Sequence, residues 1–345
     1  MEAPTIRVAN RPEAIYERFL ADGFGDGLPV IPPTRDRVRD ALKATDYDPS
    51  HLLGVIPPRN GEATVFDVAV NSVLAGCRPE YLPVVIQAVL ACCHESMNLA
   101  AIQTTTNPVT VAGFVNGPIV ERLGFNAGGN CLGQGNRANA TIGRAIRFVL
   151  VNIGGAQPSA VDMATHGQPG KFTFFFAENE KASPWPSYSN DLGYDANVST
   201  VTLFGAAGTT NMLEASNEAS ELLRTFADAL RSPVSNDYLL NGEPWLIFGP
   251  EHAATLAAGG YDKEAVRRTL WELSQIPASA FSRKNRLHRI IPTWEPILGT
   301  IYDDTLIPIA ASPDQIRILV AGGPGTHSVH LPTAGLPRSV TMRIS

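Results

Sequence analysis

The densest cluster of chemistry-bearing residues is Asn126-Ala127-Gly128-Gly129-Asn130-Cys131-Leu132-Gly133-Gln134-Gly135-Asn136-Arg137-Ala138-Asn139, with four Gly and four Asn in fourteen residues. Glycine reaches positive φ without steric cost, and asparagine tolerates the left-handed region better than most residues. A loop of this kind can turn several N–H groups toward one point. It leads into a helical pattern over Asn139–Val151, whose first turn adds unpaired N–H groups and the positive end of the helix dipole. Arg137 and Arg144 are spaced to share one helix face. Asn126, Gly128, Gly129, Asn130, Gly135, Asn136, Arg137 and Asn139 are therefore the expected binding residues for a phosphate or carboxylate. The bland alternative is a tight loop whose Gly and Asn only solve turn geometry. Neither a G-x-G-x-x-G after a strand nor a G-x-x-x-x-G-K-[ST] is present, so a nucleotide cofactor is not expected and no other cofactor is indicated. Cys131 lies inside the loop. A helix N-terminus and an arginine nearby would favour its thiolate, the form a nucleophile needs.

A second polar segment, Asp162–Lys171, leads into an aromatic run, and Glu178–Trp185 follows it. His166 is a candidate for proton transfer, Glu178 can act as base or orient it, and Lys171 can stabilise developing negative charge. Each of these residues is, taken singly, more often a surface group. Gly205–Asn211 and Gly322–Ser328 are further Gly loops that follow apolar runs, where ligands of α/β sheets sit. Asp26, between two glycines, suits a cap or a backbone bond better than a site. Cys92-Cys93-His94-Glu95 ends an apolar helix and lacks metal-ligand spacing, and neither H-x-x-x-H nor H-E-x-x-H occurs. No metal is indicated.

The elements that must carry these residues alternate. Helical patterns cover Pro12–Ala21, Thr34–Ala44, Thr64–Ala75, Pro79–Cys93, Asn139–Val151, Ala215–Leu230, Glu251–Ala258 and Lys263–Leu273. Strand patterns cover Leu52–Ile56, Ala100–Thr105, Thr110–Asn116, Phe172–Phe176, Thr200–Gly205, Trp245–Phe248, Ile316–Ala321 and Val340–Ile344. The fold class is α/β, with layered mixed sheets and flanking helices. A weak echo joins Leu53–Pro57, helix, Ala75-Gly76-Cys77, helix to Ile247–Pro250, helix, Ala258-Gly259-Gly260, helix. It raises the prospect of two pseudo-symmetric halves, 1–180 and 199–345, with Ser/Pro/Asn/Tyr-rich 181–198 as linker or lid.

The bulk numbers narrow the function. The net charge of −6 argues against nucleic acid, and no run of like charges marks a membrane patch. No apolar stretch reaches ~18 residues, and Met1–Asn10 lacks the basic flank and apolar core of a secretory signal. Four cysteines in 345 residues make no disulfide framework. A cytoplasmic protein is the expectation. The charged fraction of 17% is below the usual ~25%, which fits burial in a homo-oligomer or against a second subunit.

The words Gly25-Asp26-Gly27-Leu28-Pro29-Val30-Ile31-Pro32-Pro33-Thr34, Ala75-Gly76-Cys77-Arg78-Pro79-Glu80, Asn136–Arg144 and Val320-Ala321-Gly322-Gly323-Pro324-Gly325 give the chain a resemblance. It is similar to an uncharacterised bacterial family associated with the UGSC-type selenoproteins. That resemblance carries over no catalytic residue. It implies a lean toward thiol- or selenol-linked metabolism, with the reactive group on a partner. The residues themselves favour a hydrolase or lyase acting on a small anionic metabolite. The rivals are a thiol- or selenol-linked redox enzyme or enzyme subunit, and a non-catalytic binding subunit.

Overall fold

The computed structural model describes residues 5–344, so the start of Met1–Asn10 lies outside it. Side chains on successive strand residues point to opposite faces, and in this chain both faces are apolar. Along Thr110–Asn116, Val111 and Val115 join one core while Ala112 and Phe114 join another. Along Trp245–Phe248, Leu246 and Phe248 face one way, Trp245 and Ile247 the other. A sheet buried on both sides needs two partners. Here helices cover one face of each sheet, and the other faces pack on each other, giving four layers in the order helix, sheet, sheet, helix. The middle seam is aromatic. Phe204 stacks on Trp245 with ring centres 4.4 Å apart, and Phe114 meets Trp245 edge-on at 5.5 Å.

The first sheet runs Val340–Arg343, Thr200–Ala206, Thr110–Asn116, Phe175–Ala177, and only the last pair is parallel. The second runs Thr210–Leu213, His327–Leu331, Trp245–Phe248, Arg317–Val320, again with only the last pair parallel. The two sheets thus share one topology, and they exchange their outer strands. Thr210–Leu213 follows Thr200–Ala206 in the chain but completes the second sheet. Val340–Arg343 follows His327–Leu331 but completes the first. Where the two connections cross, Ala206 pairs with Thr333 and the Ala207 N–H donates to the Pro332 carbonyl at 2.7 Å. A cut at residue 199 therefore divides the chain but not the sheets.

The structural repeat equates Trp245–Phe248 with Thr110–Asn116. It does not follow the sequence echo, since among the described residues Leu52–Ile56 pairs only with Gly61–Thr64, in a separate hairpin.

Helices form where the pattern places them. Thr64 and Asp67 close a capping box ahead of Val65–Ala75. Asn136 caps Arg137–Asn152 through the Asn139 N–H, and Asp262 caps Lys263–Leu273 through the Ala265 N–H. Ala100–Thr105 is a correction: Leu99–Thr104 is a helix, burying Leu99, Ile102 and Gln103 at helical spacing. So short an apolar run fits either period. The aromatic strand is Phe175–Ala177 rather than Phe172–Phe176, and the helix drawn from Ala215 begins at Ala219.

Segment 181–198 is folded against the core, with Trp185 and Tyr188 buried; it is not an extended linker. Among the described residues no single helix is long and apolar enough to cross a membrane.

Candidate functional site

The parallel strands Thr110–Asn116 and Phe175–Ala177 end side by side, and the chain continues from the second into Glu178. The Glu178 N–H extends the ladder to the Val115 carbonyl at 3.2 Å. Its side chain is 1% exposed. One carboxylate oxygen, Oε2, accepts from Asn116 Nδ2 at 2.6 Å and from the Tyr188 N–H at 2.9 Å. The other, Oε1, is buried without a donor, and so is Asn116 Oδ1. Asn116 also donates to Glu180 at 2.9 Å, and Glu180 takes the Gly117 N–H at 2.7 Å. A single amide thus joins two carboxylates. Burial drives the Glu178 pKa up to about 7, against the opposing pull of Lys263 and of its two hydrogen bonds.

Lys263 comes from the other half of the molecule. It is 5% exposed and donates to Asp191 at 2.8 Å, and Arg267 reaches the same oxygen at 3.2 Å. Asp191 closes the short helix Tyr188–Asp191, whose first N–H holds Glu178. Tyr188 packs on Phe114 and Trp245, and Trp185 donates to the Tyr261 carbonyl at 3.0 Å. The segment read as linker or lid is therefore a packed cover over the carboxylate.

The Gly/Asn loop borders the same strand ends. Asn179 donates its N–H to the Val320 carbonyl at 2.7 Å and its amide to the Gly322 carbonyl at 3.2 Å. Gly322 donates to Ala127 at 2.8 Å. A Cβ on Gly323 would stand 2.9 Å from the Gly129 Cα, so this contact is backbone on backbone.

The loop's polar groups are largely turned on one another. Asn126 exchanges bonds with Asn139, which also holds the Cys131 carbonyl. The N–H groups of Gly128, Cys131, Gly133 and Asn139 are paired within the loop. Asn130 and Asn136 donate to the carbonyls of Gln134 and Gly124. Those amides therefore close the loop instead of converging on a ligand. Gly129, Asn130 and Gly135 remain exposed.

Both arginines point elsewhere than expected. Arg137 donates twice to the Gly76 carbonyl, at 3.0 and 2.9 Å. Arg144 is committed to Asp26. Cys131 is buried, and burial pushes its thiol up to about 11, the direction opposite to an activated nucleophile.

His166 and Lys171 are not brought to Glu178. Their loop sits at the start of Thr110–Asn116: Thr165 donates to Thr106, and Gln168 to Pro108 and Ala206. Glu178 is at its end, about 20 Å away for a strand of this length. Lys171 is bound to Asp162 at 2.6 and 2.7 Å, and His166 is exposed. The expected pairing of His166 with Glu178 is thereby corrected.

Sequence reading missed Asn116, Glu180, Lys263 and Asp191, which belong to no motif. The only signal was position, since Asn116 and Glu178 each end an apolar strand. It also missed a buried Ser–His pair. Ser328 Oγ lies 2.7 Å from His252 Nδ1, and Nε2 lies 2.8 Å from the Glu214 carbonyl. A carbonyl only accepts, so Nε2–H is the donor to Glu214. Ser328 Oγ in turn takes the Gly249 N–H at 3.1 Å. Every partner is satisfied and both side chains are buried, so the pair braces helix Pro250–Ala258 against its sheet. Among the described residues no three His, Cys, Asp or Glu side chains gather as a metal site. Comparison with known proteins gives neither a matching family model nor a matching curated protein.

Proposed function

We propose that the chain is an enzyme of the hydrolase or lyase class, in which Glu178 moves a proton on a small anionic metabolite. Glu178 carries the reading: a fully buried carboxyl at the ends of parallel strands, one oxygen undonated, with a pKa of about 7. A general acid or base works best when its pKa lies near the operating pH. Such a group costs stability, and costly buried groups cluster at functional sites. Asn116 and the Tyr188 N–H fix one oxygen so that the other presents the proton. Lys263 supplies positive charge beside it. The raised thiol of Cys131 works against the redox alternative.

The reading extends to a cytoplasmic homo-oligomer. Four free cysteines fit a reducing compartment. Leu287, Ile297, Leu298, Tyr302 and Leu306 leave apolar surface exposed around Ile291–Leu298.

The test is a screen of small carboxylates and phosphomonoesters by proton NMR with purified wild-type chain and Glu178→Gln. At least one compound should turn over, with kcat falling on the order of 10²-fold in the variant. Turnover unchanged by Glu178→Gln would remove Glu178 from the chemistry.

A further inference from the structure

A cavity of about 200 Å³ opens between helix Arg35–Leu42, the end of Val65–Ala75 and the start of Arg137–Asn152. Arg37, Arg78 and Arg137 line it, and Asp40 is the one acid on its wall. Glu178, Asn116 and Lys263 are not part of it.

The charges there do not cancel. Asp40 is bound by Lys43 at 2.7 Å, which holds its carboxyl below the usual range. Arg78 approaches Glu80 only to 3.8 Å, and both are more than half exposed. Among the described residues Arg37 and Arg137 form no ion pair. Instead Arg37 donates to the Pro32 carbonyl at 2.9 Å, and Arg137 to that of Gly76. A carbonyl fixes the plane of a guanidinium without neutralising it, and leaves its other N–H groups free. Gly76 is left-handed, with φ of 92°, which turns its carbonyl to this role at the helix end. Arg37 and Arg137, each held by a carbonyl and unneutralised, stand with the exposed Arg78 around one small cavity, and their remaining N–H groups make it a receptor for an oxyanion.

The size limits the ligand. The cleft falls below the ~300 Å³ floor of pockets for drug-sized molecules.

We infer that this cleft binds a phosphate dianion, either free or at the end of a short phosphomonoester. The site is separate from Glu178 and does not depend on the catalytic reading.

The experiment is isothermal titration of the full chain with inorganic phosphate, then with glycerol phosphate, for wild type, Arg37→Gln, Arg137→Gln and Glu178→Gln. Thermal melts report folding. Wild type should bind phosphate, and Glu178→Gln should bind it equally. Arg37→Gln should weaken binding about tenfold or more. Arg37 sits on an exposed helix face, so its variant keeps the test valid if Arg137→Gln fails to fold. Tighter binding of glycerol phosphate identifies an ester site; equal or weaker binding identifies a site for free phosphate. No binding at millimolar phosphate, or binding indifferent to Arg37→Gln, overturns the inference.

Discussion

Asp26 and Arg144 meet in a two-point ion pair, with Nε to Oδ2 and an Nη to Oδ1 both at 2.7 Å. The same guanidinium also donates to the carbonyls of Leu28 and Pro29 at 3.2 and 3.0 Å. The Pro-rich segment after Gly25 is thereby fastened to helix Arg137–Asn152. Two sequence words more than a hundred residues apart turn out to be two sides of one clasp.

The clasp is partly buried, with the two side chains 14% and 20% exposed. Its loss should fall between a surface pair and a buried one, about 1–3 kcal/mol. Asp26→Ala and Arg144→Ala should each lower stability by that amount in urea unfolding. Their double mutant should cost little more than either alone. Arg144→Lys should recover only part, because an ammonium lacks the fork. Strictly additive losses would show that the clasp holds nothing.

Gly323→Ala places a methyl 2.9 Å from the Gly129 Cα and 3.0 Å from its nitrogen, and backbone cannot swing aside. The variant should lose about 1–3 kcal/mol. Amide exchange should quicken in the Gly/Asn loop before it does in the Val65–Ala75 helix. Unchanged exchange in the loop would mean that the contact does not seat it.

The cysteines should be inert. Cys131 is pushed up to about 11 and Cys77 to about 12, and Cys92 is raised as well, all by burial first. At neutral pH the Cys131 thiolate is roughly one part in ten thousand. Iodoacetamide should label native Cys131 far more slowly than unfolded chain, and Cys131→Ser should keep full turnover. Rapid native labelling would revive the thiol chemistry.

Glu178 should tilt stability with pH. Its folded pKa of about 7 lies above the ordinary 4.5, so the unfolded chain loses this proton first as pH rises. Its contribution is neutral below about 4.5, and it destabilises progressively between about 4.5 and 7, by on the order of 3 kcal/mol. Glu178→Gln cannot ionise, so the stability difference between variant and wild type should grow in the variant's favour across that window. A difference independent of pH would mean that the carboxyl titrates normally.

The layered fold was legible in the sequence because long patterns such as Lys263–Leu273 carry their own period and caps. The short strands Thr210–Leu213 and His327–Leu331 were not. They place Asn211, His327 and Ser328 among their residues, and Ser328 bonds a helix histidine that no local rule reveals. Glu178 was visible as an acid beside an aromatic run. Its chemistry was not, because that comes from Asn116, Tyr188 and Lys263, which only the sheet brings together. The Gly/Asn loop misled in the other direction. Its composition signals either an anion cradle or a self-closed turn, and only the observed bonds of Asn126 and Asn139 separate the two.

The most direct test is a carbon-13 NMR titration of glutamate carboxyls, with Glu178 assigned by its absence from the Glu178→Gln spectrum. The account predicts a midpoint near 7 for this one resonance. A midpoint near 4.5, the ordinary glutamate value, would contradict it.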